Sequence, residues 1–459
     1  MDVDYLKSSI KQNEILQKKD KKQNYLSDRL LQVVEQFMKT KKRICYGGTA
    51  INSVLPKEKQ FYDYDIDIPD YDFFSPSALE DAKELCNLFK KENIFHVEGK
   101  NAVSFGTYKV FVNFVPIADI TQISEVFYDY LLHHAVTVQD ILYTPPSYLR
   151  MSLHQELARP KGDVSRWEKI YQRMQLLNTY FPILVKPLSE RQHMYLKIKT
   201  KEFTSTYDSL FQYFQKKKMI FCNFHLISCV YKRYFKRNKC DKELNDFFLI
   251  YSDDLTETYK NIHKMKLPQI KIQKFTSEYK FIDDYCVLYF KEKPIGVIFQ
   301  TNSCLSYIEV SFRKTKIHVG NIDTLLNLYF SLILMDLKEI KQPVALSIIG
   351  ELNHLVDTYH SYLDSKTKLP RYLERFQLPC LGTQDDLPRI LRTRQRKFNE
   401  LKHNKTSIEY KKWFFKYTPT LKTEETTPKN KTTKKKERKY KERKTKVEKS
   451  KNKTKKVKR

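Results

Sequence analysis

The sequence predicts an α/β (α+β) protein of more than one domain, on three observations. Short apolar runs bounded by turn signals, such as ICYGG and VFVNFVPIADI, alternate with amphipathic stretches such as AKELCNLFKKE in two separate parts of the chain. Hydrophobic residues make up 41% and aromatic residues 14% of the 459, ample for a buried core and too much for a chain disordered throughout. Only 9 glycines are present, which excludes collagen-like and glycine-repeat architectures.

In residues 1–40, Leu16, Leu26, Leu30, Val33, Val34 and Phe37 fall at helical spacing without Pro or Gly, so an N-terminal helical segment is expected. Residues 41–182 read as one α/β domain. A strand at Arg43-Ile44-Cys45 leads through Gly47-Gly48 to a helix expected from Thr49. An aspartate-rich stretch follows, then a helix through AKELCNLFKKE with Ser75 as its N-cap, and strands in AVSFGTYKVFVNFVPIADI. A helix is expected over Tyr128 to Leu142. Another is expected in RWEKIYQRMQLLNTY, with Trp167, Ile170, Tyr171, Met174 and Leu177 on one face and Pro182 as its stop. Residues 183–418 repeat the alternation as a second α/β domain, with helix-like MIFCNFHLISCVYKRYFKR, strand-like DDYCVLYF, PIGVIFQT and SYIEVSF, and the apolar run TLLNLYFSLILMDL. Residues 419–459 are low-complexity Lys/Thr/Glu sequence, expected to form a disordered basic tail.

The net charge is +30, from 84 Lys and Arg against 54 Asp and Glu, and the tail holds 19 of those cations against 5 acids. Such a charge favours polyanionic partners, nucleic acid above all. No apolar run reaches the ~18 residues that cross a bilayer, and the opening MDVDYLKSSIKQNE is too polar for a signal peptide. A soluble intracellular protein without a membrane partner is expected. The cysteines at 45, 86, 222, 229, 240, 286, 304 and 380 show no CxxC pair and no zinc spacing, so reduced thiols and no structural metal are expected.

Chemistry concentrates in YGGTAIN (46–52) and PDYDFFSP (69–76). Gly47 and Gly48 allow a tight turn and close approach of a ligand, and the following helix would aim its free N–H groups at phosphate, which suits a triphosphate. Asp70 and Asp72, at i and i+2 of a strand, share a face and offer hard oxygen ligands to Mg²⁺. VFVNFVPIADIT reads as an apolar strand that ends in a lone acid, Asp119, where a structural strand rarely holds a buried charge, and it is the natural third ligand. Three such acids make a two-metal site for nucleotidyl transfer. Singly, each element is an ordinary turn or cap; their order within about 75 residues carries the reading. Asp63, Asp65 and Asp67 form a second alternating set, and the pattern alone leaves both sets open.

The order of these motifs resembles the DNA polymerase β-like nucleotidyltransferase superfamily. YGGTAIN, PDYDFFSP and IADIT, with the later RPKGD and RWEKIYQRMQLLN, resemble the poly(A) polymerase catalytic subunits of nucleocytoplasmic large DNA viruses, over about residues 41–182. The resemblance implies that Asp70, Asp72 and Asp119 are catalytic and bind two Mg²⁺ or Mn²⁺ ions, and that Gly47 and Gly48 bind nucleotide. It favours Asp70 and Asp72 over the upstream set. It implies AMP transfer from ATP to an RNA 3′ end, with a homodimer or a separate processivity subunit open, in the host cytoplasm or virion. Residues 183–418 are compatible with an inactive nucleotidyltransferase-like copy, as in poxviral members. The rival reading is a non-catalytic RNA-binding or processivity module on a degenerate version of the same fold, or an enzyme using another nucleotide or a small acceptor.

Arg159, Lys161, Arg166, Lys169 and Arg173 could face the metal site and bind triphosphate or RNA. His133, His134 and His154 have no partner at metal-ligand spacing and read as ordinary core or surface groups. The tail would raise encounter rates with RNA in a salt-dependent way.

Overall fold

The structure is a computed structural model that describes residues 3–25, 28–64, 67, 69–183, 196, 198, 200–235, 246–312, 314–335 and 337–420. Asp65 and the tail beyond Thr420 lie outside the described residues. Two helices, α1 (Val3–Tyr25) and α2 (Asp28–Lys41), lead in, α2 burying Leu30, Val34, Phe37 and Met38. There follow β1 (Ile44–Cys45), α3 (Gly47–Val54), β2 (Tyr71–Ser75), α4 (Ala78–Lys91), β3 (Val97–Asn101), β4 (Thr107–Val112), β5 (Val115–Gln122), α5 (Glu125–His134), β6 (Val136–Val138) and β7 (Ile141–Tyr143). Helices α6 (Pro146–Leu157), α7 (Trp167–Tyr180) and α8 (Lys201–Lys216) come next. A second series runs β8 (Ile220–Phe221), α9 (Phe224–Val230), β9 (Phe248–Ser252), α10 (Leu255–Lys264), β10 (Ile270–Phe275), β11 (Tyr285–Phe290), β12 (Lys293–Gln300), β13 (Leu305–Phe312) and β14 (Thr315–Gly320). The chain ends in α11 (Ile322–Met335), α12 (Gln342–Asp364), β15 (Cys380–Leu381), α13 (Leu387–Leu401), α14 (Ile408–Phe414) and β16 (Lys416–Tyr417).

Two eight-stranded mixed sheets result, and the second repeats the first strand for strand. The first has the order β16-β3-β4-β5-β2-β1-β7-β6 and the second β10-β11-β12-β9-β8-β14-β13-β15. Once the edge strands β16 and β15 are set aside, the seven-strand orders coincide, as does the sense of every pairing. β2 and β5 are parallel, as are β9 and β12; β1 and β2 are antiparallel, as are β8 and β9.

One corner is repeated bond for bond. Gln122 accepts the N–H of Ala78 through Oε1 (2.9 Å) and donates to the carbonyls of Pro76 and Ile123, while Ser75 Oγ accepts the Ser77 N–H (2.9 Å). In the second sheet Gln300 accepts from Leu255 (2.8 Å) and donates to Asp253 and Thr301, and Ser252 Oγ accepts from Asp254 (3.3 Å). Each corner satisfies N–H groups at the helix start that would otherwise lack partners.

Several local expectations are corrected. The N-cap position of α4 is Ser77; Ser75 ends β2 and its hydroxyl serves the Ser77 N–H instead. Helix α3 begins at Gly47, two residues before Thr49. VFVNFVPIADIT is not one strand: Asn113 and Phe114 take positive φ (49° and 68°) and turn β4 back onto β5, and Asp119 lies inside β5, not at its end. The helix expected over Tyr128 to Leu142 is α5, which stops at His134; the β-branched Val136-Thr137-Val138 then pairs with β7 across a turn in which Gln139 and Asp140 both take positive φ (50° and 64°). The apolar stretch from Met219 splits into β8 and the short α9, whose N-cap position is the extended Asn223. The cysteines are not all thiols. Cys304 and Cys380 form a disulfide, brought together because β13 and β15 pair although 76 residues separate them in sequence, which no local motif announces. Among the described residues no helix is long and apolar enough to cross a membrane.

The helices between and behind the sheets are pinned by a buried ion pair. Arg375 donates to Asp323 through Nε to Oδ2 (2.9 Å) and Nη2 to Oδ1 (2.7 Å), and Oδ1 also accepts from His154 Nδ1 (2.9 Å), so His154 is the Nδ1–H tautomer. Asp323 and Arg375 are fully buried and the rings of Tyr171, Tyr359 and Phe376 stand about the guanidinium at 5.4–5.5 Å. His154, expected to be an ordinary core histidine, ties α6 to the first turn of α11. Burial alone would raise the Asp323 pKa, but Arg375 and the hydrogen bonds from His154 and Arg375 hold it down at about 2. Burial pushes the His154 pKa below its usual value.

Both folded values lie below the unfolded ones, so this cluster stabilises the fold above about pH 6.5. Its contribution falls on acidification, first as unfolded His154 takes up a proton below that pH and then as Asp323 protonates between about pH 4 and 2. Urea midpoints should therefore drop from pH 8 to pH 5, and less so in His154→Gln, which can still donate to Asp323. Asp323→Asn should cost about 3–5 kcal/mol because it strands the Arg375 charge.

Candidate active site

The first sheet collects the sequence-derived acids at its centre. The parallel pairing of β2 with β5 sets Asp72 directly opposite Asp119, so both carboxylates project from one face, and Asp70 lies just before β2. The opposite face is covered by α4, whose Cys86 approaches Gly99, the residue beside Lys100 on β3. β1 lies on the other side of β2, and the Tyr46 N–H donates to the Asp72 carbonyl (2.8 Å), so the chain leaves β1 directly over the Asp72 carboxylate.

That exit explains the glycines. Gly47 has φ +76°, and a Cβ there would lie 2.9 Å from Asp72 Oδ2. A Cβ on Gly48 would lie 2.8 Å from Arg173 Nη1 and 2.5 Å from the Tyr62 hydroxyl. The Thr49 hydroxyl donates to the Asp70 carbonyl (2.8 Å) and fixes the approach to β2. The buried Asn52 accepts the N–H groups of Phe61 and Tyr62 (2.7 and 3.0 Å), which holds those rings near the glycine turn. Arg173 on α7 stacks over Phe61 (4.5 Å) and donates to the Tyr62 hydroxyl (2.7 Å).

The electrostatics are those of crowded like charges. Burial, then Asp70 and Asp119, push the Asp72 pKa up to about 8, with Lys109 and Arg166 opposing. Burial and then Asp119 raise Asp70, which still meets solvent on its outer side. Lys109 on β4 pairs with Asp119 Oδ2 at 2.5 Å, and Asp119 Oδ1 is buried with no hydrogen-bond partner.

Among the described residues no three His, Cys, Asp or Glu side chains close on one point, and the ammonium of Lys109 takes that place beside Asp119. The donor set nonetheless fits a hard divalent cation. It is all carboxylate oxygen, Asp70 and Asp72 are both pushed up by burial and by the neighbouring acids, and one buried oxygen lacks a partner. Asp72 and Asp119 are the groups that would hold such an ion, with Asp70 beside them.

Gly47, Gly48, Asp70, Asp72 and Asp119 thus come together. Of the upstream set, Asp67 accepts from Lys18 (2.7 Å) and from the Asp63 N–H (3.1 Å), which turns it toward α1 and its own loop. Arg166, Lys169 and Arg173 gather on the site's flank: Arg166 acts on Asp72, and Lys169 is lowered by burial and by its neighbours Arg173 and Arg166. Arg159 instead donates to Ser303 in the second half of the chain (3.0 Å), and Lys161 is exposed. His133 and His134 are exposed on α5. Lys109, Asn52 and Tyr62 were not singled out in the sequence. Lys109 was findable, as the one charge in the otherwise apolar strand TYKVFV.

Residues 32–163 match the family model described as poly(A) polymerase catalytic subunit, a span that holds the glycine turn and all three aspartates. The resemblance read from the motifs is upheld. A protein of Acanthamoeba polyphaga mimivirus named for the poly(A) polymerase catalytic subunit is 32% identical over 190 residues, 38% of this chain and 32% of that protein. One of African swine fever virus (isolate Pig/Kenya/KEN-50/1950), named likewise, is 33% identical over 164 residues, 34% of each chain. The chain thus spans about a third of the length of these curated relatives in the regions that match. The crystal structure of the Megavirus polyadenylate synthase superposes with a TM-score of 0.73 over 91% of this chain and 86% of that one, at 21% identity, so the two share a fold.

The duplication shows which parts of this fold are scaffold. In the second sheet Leu249 occupies the place of Asp72 and pairs with Val297 in the place of Asp119; Phe247 stands for Asp70 and Asn223 for Gly47. Leu249, Val297 and Phe247 are buried, and Asn223 turns its side chain inward to accept the Leu249 N–H (3.1 Å). The second half keeps the serine–glutamine corner and has no acid at the three positions equivalent to Asp70, Asp72 and Asp119, which is compatible with an inactive copy over residues 183–418.

Binding of Mn²⁺ at about a hundred times its dissociation constant should stabilise the native protein by about 2.7 kcal/mol, seen as a raised melting temperature. The rise should vanish in Asp72→Ala. An equal rise in that variant would put the cation elsewhere.

Proposed function

We propose that the protein is a template-independent poly(A) polymerase that transfers AMP from ATP to RNA 3′ ends. The observation that carries this reading is the opposition of Asp72 and Asp119 across β2 and β5, with Gly47 folded against Asp72, inside the segment that matches the catalytic-subunit family. Two divalent ions, Mg²⁺ or Mn²⁺, held by Asp70, Asp72 and Asp119 would supply charge neutralisation at the phosphates and a lowered pKa for the attacking hydroxyl.

The chain's own groups divide the work by position. Gly47 and Gly48, at the start of α3, present N–H groups to the triphosphate, and Arg173, Lys169 and Arg166 stand on that flank as its cations. Arg173 is nearly buried and among the described residues pairs with no carboxylate, so an anion at the glycine turn would satisfy it. Asp119 lies on the far side of Asp72 from the glycines, which leaves it facing the RNA 3′-hydroxyl. The 3′-oxygen bonds to the α-phosphorus as the bond to the β-phosphate oxygen breaks, pyrophosphate leaves, and the hydroxyl proton passes to the Asp119 carboxylate. Fixed charges placed before the reaction stabilise the transferring phosphoryl group without reorganisation. The relatives' name of catalytic subunit suits work beside a separate processivity subunit.

Purified protein, a labelled oligoribonucleotide and each of the four ribonucleotides in turn test the reading; extension with ATP alone supports it, and no extension with any overturns it. Asp70→Ala and Asp72→Ala should abolish extension. Asp119→Ala should still bind a non-hydrolysable ATP analogue while single-turnover extension falls by at least about 10²–10³. Loss of nucleotide binding in that variant would move Asp119 to the triphosphate side.

A further inference from the structure

The strand register extends the row that begins with the two acids. Asp72 on β2 opposes Asp119 on β5, Asp119 opposes Lys109 on β4, Lys109 opposes Lys100 on β3, and Lys100 opposes Lys416 on β16. Directly opposed residues share a face, so five neighbouring strands present two carboxylates and then three ammonium groups in line. Phe415, the neighbour of Lys416, points the other way, where it packs on the backbone of Gly99 and on Tyr108.

The row rises out of the protein as it leaves the acids: the side chains are 15% exposed at Asp119, 32% at Lys109, 44% at Lys100 and 75% at Lys416. At strand spacings of ~4.8 Å the three lysines carry positive charge for ~14 Å from Asp119. Glu98 receives Lys100 (3.0 Å) and Lys416 (3.4 Å), and Lys100 also rests on the Phe111 ring (4.2 Å). One carboxylate therefore holds two of the three ammonium groups in place and leaves the strip net positive.

The second half supplies an internal control. The same row there reads Leu249, Val297, Val287 and Gln273. The lysines are missing wherever the acids are missing, although the strands and their register are kept. A row needed only to hold the sheet together would have no reason to vanish with the acids. The strip also points away from the glycine turn and the Arg173 flank, so it does not serve the triphosphate. The lysine-rich run of the sequence follows β16 directly.

We infer that the face Lys109–Lys100–Lys416 is the track for the RNA backbone, receiving the last phosphodiesters of the single-stranded primer and delivering its 3′ end to Asp119. This rests on the poly(A) polymerase reading and names the site's second substrate surface. Lys109 then has two partners, Asp119 in the free protein and the terminal phosphodiester when RNA is present.

The test uses the full chain and a fluorescent single-stranded oligoribonucleotide without ATP, so that binding is scored whether or not the chain extends RNA. Lys100→Ala/Lys416→Ala should weaken RNA binding about tenfold at low salt and make the salt dependence of log K shallower by about 1.4, two phosphate contacts at ~0.7 each. Lys100→Arg/Lys416→Arg should restore both, and Lys83→Ala on α4, behind the sheet, should change neither. A photoreactive 3′-terminal nucleotide should crosslink within residues 97–122. Unchanged affinity and slope in the alanine variant, or crosslinks confined to other parts of the chain, overturn the track. Failure of the wild-type protein to extend RNA overturns the polymerase reading instead, and the binding result still decides the track.

Discussion

Two carboxylates set side by side on adjacent parallel strands repel each other and, half-buried, pay a desolvation cost as well. That constraint governs the first half of the molecule. Asp72 is forced toward its protonated form, Asp119 borrows the ammonium of Lys109, and Arg166, at the N-cap of α7, stands within reach. Each is a partial answer to one excess of negative charge, and a divalent cation is the answer that satisfies all of it at once. The glycine turn follows from the same crowding, since nothing larger than hydrogen fits between the backbone leaving β1 and the Asp72 carboxylate.

The second half shows the same architecture relieved of that constraint. With Leu249 and Val297 in place of the acids the sheet centre closes into ordinary apolar packing. The serine–glutamine corner persists because it serves the backbone, which both copies must satisfy equally. Two copies of one fold in one chain thus separate the residues that make the fold from those that make the chemistry. The buried Arg375–Asp323–His154 cluster belongs to neither copy's centre and joins the helices packed beside them.

Legibility in the sequence followed the range of the interactions involved. Asp70, Asp72, Asp119 and the glycine pair were readable because each breaks a local rule: acids in strands, or two glycines at a strand–helix junction. The α/β alternation was readable from period alone. Ser75 was misread as a cap because a serine two residues ahead of the N-cap makes a similar bond from a different position. The end of α5 was misplaced because Val136 to Tyr143 is as apolar as a helix face, and only its pairing partner reveals a hairpin. The strand-for-strand repeat and the Cys304–Cys380 bond depend on which strands meet, and Lys100 and Lys109 are unremarkable until register places them in one row.

The two-residue strand β16 joins the edge of the first sheet from the far end of the chain, roughly three hundred residues after β3. During synthesis at about 5–20 residues per second, β3 therefore waits some 15–60 s with an unpaired edge. For that interval the first sheet exposes a row of free backbone groups of the kind that templates association with other chains. Its protection comes from Glu98 and Lys100 on that strand, charged side chains that discourage a stray partner until the proper one arrives. The order in which the chain is made thus places a premium on the same charges that line the face of the finished sheet.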